Sequence, residues 1–499
     1  MCNKKTEECK YQEKTDGQAD EIKSFGWGIR HLQMACMTLT MVCLIIARAS
    51  MGIAVLAMSD TDQKNNTSIE VYDWDKKTQS LILSSFFWGY VVMQIPSGVL
   101  AKRFGGKPIL FMALLSNALV CLSVPTLAAW GGWILVCAAR VTMGLTQACL
   151  FSSTQTLLGQ WLPANERTNY TGIVYGGIQC GTIIAMPLSG YLAETSLGWK
   201  LIFYVTSGIL LVNLAIWHFL GASCPRKHRW ISEKEKQYIE AGLNVSASKL
   251  PTPWKHILRS KPVWAILAPQ CGFLISFVFF FVDMPTYLEK GLGISLKNSA
   301  LLAALPYIGM WFGNNFSSYL SEKIYNRGLL NLTACRKVFQ SISLFGIAIA
   351  LVVLSFLGPD QKLFAVATLI ACLTMHGFST AGFVVNQLDL SPNYAGVIMC
   401  ILNFIANCGC SLTPIVTSVI LRNDSTDISR WRIVFLIMAG LCAIANVIYL
   451  ILGSSDRQPW DNPNYAEKKI ADPGYCFIFF FCFYGCLFMS FFIFHRNIK

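Results

Sequence analysis

Apolar runs of about 20 residues, enough to cross a hydrocarbon core, recur at 34–58, 79–100, 108–130, 132–158, 170–193 and 199–221. A polar, basic stretch follows at 222–261. Six more apolar runs then lie at 262–288, 299–321, 337–358, 362–386, 394–421 and 431–453. The pattern predicts an all-α membrane protein with twelve transmembrane helices in two six-helix pseudo-repeats. On this reading residues 1–33 form a polar N-terminal tail and 34–221 a first bundle. Residues 222–261 form a central loop, 262–453 a second bundle and 454–499 a tail. No apolar stretch opens the chain as a cleaved leader would, so the first span is expected to act as its own targeting signal. The tail carries one further apolar stretch, 475–494, rich in Phe and Cys. It reads as a thirteenth helix or as translated non-coding sequence, the second being favoured.

Composition narrows the class. Hydrophobic residues make up 54% of the 499 and charged residues 13%, against about a quarter charged in soluble domains. The mean hydropathy is +0.48. A soluble enzyme, a disordered chain and a fibrous one are excluded. The net charge of +13 does not imply nucleic acid, because the Lys and Arg lie between the apolar runs. They concentrate in the N-terminal tail, the 101–107 loop, the central loop and the 322–337 loop. Basic loops face the cytoplasm, so both ends of the twelve-span body are expected there. Asn65, Asn66 and Asn423 then fall on the outside as glycosylation acceptors, whereas Asn169, Asn244 and Asn331 stay bare. The 19 cysteines show no metal spacing and sit mostly inside apolar runs, as small hydrophobes.

A weak internal repeat links the halves. Gly98-Val-Leu-Ala-Lys-Arg-Phe-Gly-Gly-Lys107 closes the second span, and Ser318-Tyr-Leu-Ser-Glu-Lys-Ile-Tyr-Asn-Arg327 closes the eighth. Repeated halves are a property of secondary transporters, whose substrate site lies near mid-membrane between them.

Charges inside spans are costly and therefore informative. Arg48 in the first span and Arg140 in the fourth are the two basic residues well inside a helix. No acid in the neighbouring runs can pair with them, so an anionic substrate is the expected partner. A guanidinium offers a planar fork for carboxylate or phosphate. The competing reading is a snorkelling or carbonyl-bonded Arg. His376, midway along the tenth span, has the pKa range of a proton relay, or is a neutral hydrogen-bonded histidine. Asp283, beside Pro285 near the outer end of the seventh span, is a candidate cation ligand or gate. Asp389 reads as a cap or gate at the cytoplasmic end. Gly89, Gly98, Gly144, Gly172, Gly176, Gly177 and Gly181 allow close helix packing. Phosphate-cradling ATPase motifs, nucleophile–base sets and metal sites are absent from the sequence, so neither catalysis nor a bound cofactor is expected.

Several motifs resemble the anion:cation symporter family of the major facilitator superfamily. They are Phe86-Phe-Trp-Gly-Tyr90, Gln94-Ile-Pro-Ser-Gly98, Arg103-Phe-Gly-Gly-Lys107, Trp161-Leu-Pro163 and Glu166-Arg167. Ala185-Met-Pro-Leu-Ser-Gly190, Asn386-Gln-Leu-Asp-Leu-Ser-Pro392 and Gln458-Pro-Trp460 complete the set. The family holds type I sodium–phosphate cotransporters, sialin and vesicular glutamate transporters. The nearest resemblance is to an insect branch named for inorganic phosphate cotransport. The resemblance implies anion binding by Arg48, in Arg-Ala-Ser-Met-Gly52, and by Arg140, in Arg-Val-Thr-Met-Gly144. The chain also departs from the family. Met143 and Gln147 stand where sialin-like members carry glutamates linked to proton coupling. Leu83 and Phe273 stand where glutamate carriers have a histidine and an arginine. Lys102 replaces the superfamily's acid after span two, and Glu322 keeps the acid of the second half.

The expectation is a secondary active transporter of a small anion, inorganic phosphate with sodium, working by alternating access between the two bundles. The alternatives are a carrier of acidic sugars or carboxylates, coupled to protons or uncoupled, and, in another class, an anion channel or receptor. Arg48 and Arg140 are the expected substrate ligands. Asp283, His376, Gln147 and Asn386 are the positions to weigh for coupling or gating. The expected partners are the anion, a sodium ion or proton and the bilayer, with no nucleic acid. A monomer at the plasma membrane, rather than a lysosomal or vesicular one, is expected.

Overall fold

The computed structural model describes residues 26–59, 71–243, 252–284, 287–288, 292, 296–410, 413–421 and 427–461. The glycosylation acceptors Asn65, Asn66 and Asn423 and the stretch 475–494 lie outside the described residues.

The described chain is helical. The first bundle comprises α1 (Ile29–Met58), α2 (Lys76–Phe104), α3 (Gly106–Gln147), α4 (Cys149–Trp161), α5 (Arg167–Ala193) and α6 (Trp199–Leu220). Two short helices follow in the central loop, α7 (Glu233–Leu243) and α8 (Trp254–Arg259). The second bundle comprises α9 (Lys261–Val282), α10 (Leu296–Asn326), α11 (Leu332–Phe356), α12 (Lys362–Gly377) and α13 (Phe383–Leu390). It ends with α14 (Ala395–Cys410), α15 (Thr413–Leu421) and α16 (Ile428–Leu452). Starts are set by side-chain caps where the chain leaves the apolar phase. Asp75 accepts from Thr78 N at 2.9 Å, Asn331 from Ala334 N at 2.7 Å and Asp427 from Ser429 N at 2.9 Å.

Among the described residues these helices group into twelve passages, and nine helical stretches are by themselves long and apolar enough to cross a membrane. α3 has 42 residues, about 63 Å at 1.5 Å per residue and twice a bilayer core. Gly131 and Gly132 break it, Gly132 at φ 56°, so it supplies spans three and four, the latter completed by α4. Span ten, expected as one run to 386, is instead α12 and α13 joined by a 3-10 turn at Phe378–Thr380. A side chain at Gly377 would strike Met310 O and Asn314 N at 2.5 Å, so α12 lies directly on α10 there. The groups freed at the break find partners: Ala381 O accepts from Arg336 at 3.2 Å, and Phe383 N donates to Gln340 at 3.1 Å. Span eleven comprises α14 and α15, and residues 411–412 between them lie outside the described residues. α2 and α5 run unbroken through Pro96 and Pro187.

Within the first bundle α1 packs on α5 and α6, and α2 on α3; in the second, α10 packs on α12, and α16 on α9 and α11. The bundles meet where α5 lies on α10 and where α14 lies on α2 and α4. Small residues permit these approaches. A side chain at Gly159 would meet the Pro392 carbonyl, one at Gly98 the Cys400 thiol and one at Gly172 the Ser318 side chain. The bonds joining the bundles include Asn326 to Asn165 O (2.9 Å), Asn169 N to Glu322 (2.9 Å) and Asn314 to Gly172 O (2.7 Å). Asn403 also donates to the Tyr90 hydroxyl at 3.1 Å.

Candidate functional site

The two arginines singled out by their position in apolar runs converge on one aromatic ring. The Arg48 guanidinium, from α1, lies 4.7 Å from the centre of the Phe86 ring, 5.4 Å from Phe87 and 5.5 Å from Tyr90. The Arg140 guanidinium, from the second limb of α3, lies 4.9 Å from the same Phe86 ring. Close packing of α2 on α3 sets this geometry. A side chain at Gly144 would collide with the Phe86 carbonyl, and one at Gly89 with that of Val141. These glycines were legible as packing residues, but their effect is to seat Arg140 against Phe86.

Arg140 is buried, 4% exposed, and its Nε and Nη1 have no hydrogen-bond partner. A ring face recovers about 2 kcal/mol of cation–π attraction when desolvated, and it satisfies no N–H donor. Two cations sharing a ring also repel each other. An anion with oxygens for the open N–H groups would meet both deficits.

Gln147, one of the glutamate positions in sialin-like members, is not directed at this ring. Its Nε2 donates to Leu44 O at 3.2 Å and to Asn117 Oδ1 at 2.9 Å, tying α1 to both limbs of α3. Leu44 O is only an acceptor, so the position demands a donor. An amide supplies it at every pH, whereas a carboxyl would supply it only when protonated. Met143, the other glutamate position, is buried.

His376 is fully buried between Phe273, 4.1 Å away, and Phe277, 5.9 Å away. Its Nε2 faces the Phe273 carbonyl at 3.1 Å and Ser276 Oγ at 3.2 Å, and its Nδ1 has no partner. A carbonyl requires Nε2–H, and Nδ1, with no acceptor beside it, is suited to the lone pair of the neutral tautomer. The geometry fits the hydrogen-bonded reading of this histidine better than the relay. Asp283 caps the end of α9, half-buried, with Oδ2 lacking a hydrogen-bond partner and Thr417 as its side-chain contact. Asn386 donates to the Tyr449 hydroxyl at 2.7 Å and to Ser454 O at 3.1 Å, fastening α13 to α16 and the following segment.

A second polar assembly occupies the basic end. Asp389 accepts from Arg336 Nε at 2.8 Å and from Arg167 Nη1 at 3.2 Å; all three are buried. Arg167 also donates to Leu388 O at 3.2 Å, so α5 of one bundle is bonded to α13 of the other. Arg30, at the start of α1, pairs with Glu166 at 2.8 Å and with Glu235 of α7 at 3.4 Å. Glu235 also accepts the backbone N–H groups of Ile29 and Arg30, both at 3.0 Å, which docks the central loop on α1. Glu322 accepts from the first turn of α5, and burial raises its carboxyl to about 7 despite Asn169 N and Arg336. Sequence reasoning anticipated a cap or gate at Asp389 but missed Arg30, Arg167 and Arg336. These flank apolar runs and read there as topology signals; the adjacency of Glu166 and Arg167 was the available hint.

A two-bundle helical fold, a cation pair at mid-height and a closed basic end define a secondary membrane transporter rather than an enzyme. Residues 37–414 match the Major Facilitator Superfamily. The chain belongs to that superfamily and, within it, to the anion:cation symporter group. It is 36% identical over 450 residues to a Drosophila ananassae protein named "Putative inorganic phosphate cotransporter", covering 85% of this chain and 93% of that one. It is 32% identical to human sialin over 397 residues, 79% of each chain. Among solved structures, the proton:xylose symporter XylE superposes with a TM-score of 0.66 at 14% identity, covering 86% of this chain and 97% of that one. That likeness establishes the fold.

Proposed function

We propose that the protein is a secondary active carrier of a small anion, inorganic phosphate moving with sodium. The observation that carries the reading is the Arg48–Phe86–Arg140 cluster, with two donors of Arg140 unmet in a buried setting. The name of the Drosophila ananassae relative supports phosphate. The donor-requiring surroundings of Gln147 and the neutral setting of His376 support sodium over protons. Asp283, with one open carboxylate oxygen, is the first acid to test as a sodium ligand.

Transport would proceed by rocking residues 34–221 against 262–453. With the basic end toward the cytoplasm, the bonded arrangement is the one closed to the inside. The plasma membrane is the proposed location. Glycan would then sit on Asn65 or Asn66. A gel shift abolished by Asn65→Gln with Asn66→Gln supports this orientation, and one abolished only by Asn244→Gln overturns it.

The test is uptake of labelled phosphate and a panel of organic anions into cells or proteoliposomes, with sodium and pH gradients varied separately. Phosphate uptake is expected to vanish in choline and to persist when the pH gradient is collapsed. Uptake that ignores choline and dies with a protonophore rejects sodium coupling. Selectivity for acidic sugars over phosphate would place the substrate nearer that of sialin.

A further inference from the structure

The internal repeat sets Lys102 against Glu322 when Gly98 is aligned with Ser318. The structure places both residues in corresponding roles. Glu322, on the second bundle, reaches across the boundary to the first turn of α5 and accepts from Asn169 N. Lys102, on the first bundle, reaches across to the residue preceding α14: its Nζ lies 3.9 Å from the centre of the Tyr394 ring. The sign is wrong, however. The N-terminus of a helix carries partial positive charge and unbonded N–H groups, which favour an acid and repel an ammonium.

An acid is nevertheless present, and it comes from elsewhere. After α16 the chain turns back under the second bundle. Gln458 N bonds Leu390 O at 2.9 Å, Ser455 N bonds Thr333 at 3.1 Å, and Ser260 bonds Gln458 at 3.2 Å. This delivers Asp461, 1% exposed, to the start of α14. Its carboxylate accepts from the Ser391 hydroxyl, from Asn393 N at 3.2 Å, from Asn393 Nδ2 at 3.3 Å and from Arg457 Nε at 2.7 Å. Trp460, 6% exposed, packs on Tyr394 with ring centres 6.0 Å apart, so Tyr394 has Trp460 and Lys102 as neighbours. Lys102 also bonds Thr252 of the central loop at 3.3 Å and lies within electrostatic reach of Asp461.

We infer that residues 454–461 are a working part of the gate at the basic end. Asp461 supplies from the tail the carboxylate that Glu322 supplies in the other half, and with Trp460 and Tyr394 it holds Lys102 across the boundary. The Gln458-Pro-Trp460 motif is then a brace for the closed end. Opening that end detaches Lys102 from Tyr394 while the brace travels with the second bundle. The inference rests on rocking between the two bundles and is independent of which anion or coupling ion is used.

The experiment is a distance measurement on the full chain in bilayers, without substrate. Probes are introduced through non-natural side chains at Phe104 and Leu329, which are exposed at the basic end of the two bundles. Asp461→Asn and Trp460→Ala should each raise the population with separated ends about three- to fivefold, the change expected of one charge attraction outside hydrogen-bond range or its equivalent. Lys102→Glu added to Asp461→Asn should restore closure, because an acid at 102 then takes the role of Glu322. Unchanged distances in both single variants overturn the inference. So does a misfolded Asp461→Asn protein that Lys102→Glu fails to restore, which would make the tail a strut. Asp389→Asn serves as the control for rocking. If it moves the ends and the tail variants do not, the tail has no gating role; if nothing moves them, the two-state reading falls as well.

Discussion

The guanidinium of Arg140 lies 4.9 Å from the centre of the Phe86 ring, and Arg48 lies 4.7 Å from the same ring. The ring thus holds a cation from each of two helices at one height. Arg140→Ala is expected to abolish uptake while the protein still reaches the membrane. Arg140→Lys should recover little, since an ammonium cannot offer two parallel donors. Radiolabelled uptake normalised to surface protein checks this; wild-type kinetics in the Ala variant would refute the site.

Gln147 gives a prediction about coupling. Both Nε2 contacts, Leu44 O and Asn117 Oδ1, are acceptors. Gln147→Glu should therefore fold and transport best at low pH, when the carboxyl can donate, and lose activity as it ionises. Wild-type Gln147 donates at every pH, so the ratio of variant to wild-type uptake should fall as pH rises. Uptake against pH in both proteins is the measurement, and a flat ratio would count against the argument.

Asp389 holds two buried guanidiniums, from Arg336 and Arg167, at 2.8 and 3.2 Å. Asp389→Asn leaves both without a counter-charge, and removing one partner from a buried pair costs about 3–5 kcal/mol. A clear fall in the thermal midpoint in detergent is expected, with loss of the closed basic end. An unaltered melting curve would show that water reaches the triad.

Glu322 gives the basic end a pH dependence. Its carboxyl is raised from 4.5 to about 7 where it is buried beside Asn169 N, facing Glu166 and Arg336. On opening it would return toward its ordinary value. A group raised in the closed state favours that state fully below its open-state pKa of 4.5 and loses this contribution as pH rises through about 7. The closed fraction should therefore decline over that window, and Glu322→Gln should remove the decline. The probe distance across the basic end, followed against pH, decides it.

The hydrophobic pattern was sufficient for the architecture, because a hydrocarbon solvent leaves helices as the way to satisfy a spanning backbone in runs of this length. It also marked Arg48 and Arg140, because a charge in such a run is too costly to be incidental. Three things needed the tertiary structure. Arg167, Arg336 and Arg30 flank their helices and read as topology until folding brings Asp389, Glu166 and Glu235 to them. Gln147 looked like a lost proton carrier, and its role as a donor to Leu44 O depends on how α1 meets α3. Asp461, about 360 residues from Lys102 along the chain, becomes its neighbour only when the tail turns back under the second bundle. The reason is common to all three. Periodicity records the solvent each residue prefers, a local property, whereas the partner of a buried charge is chosen by which helix ends pack together.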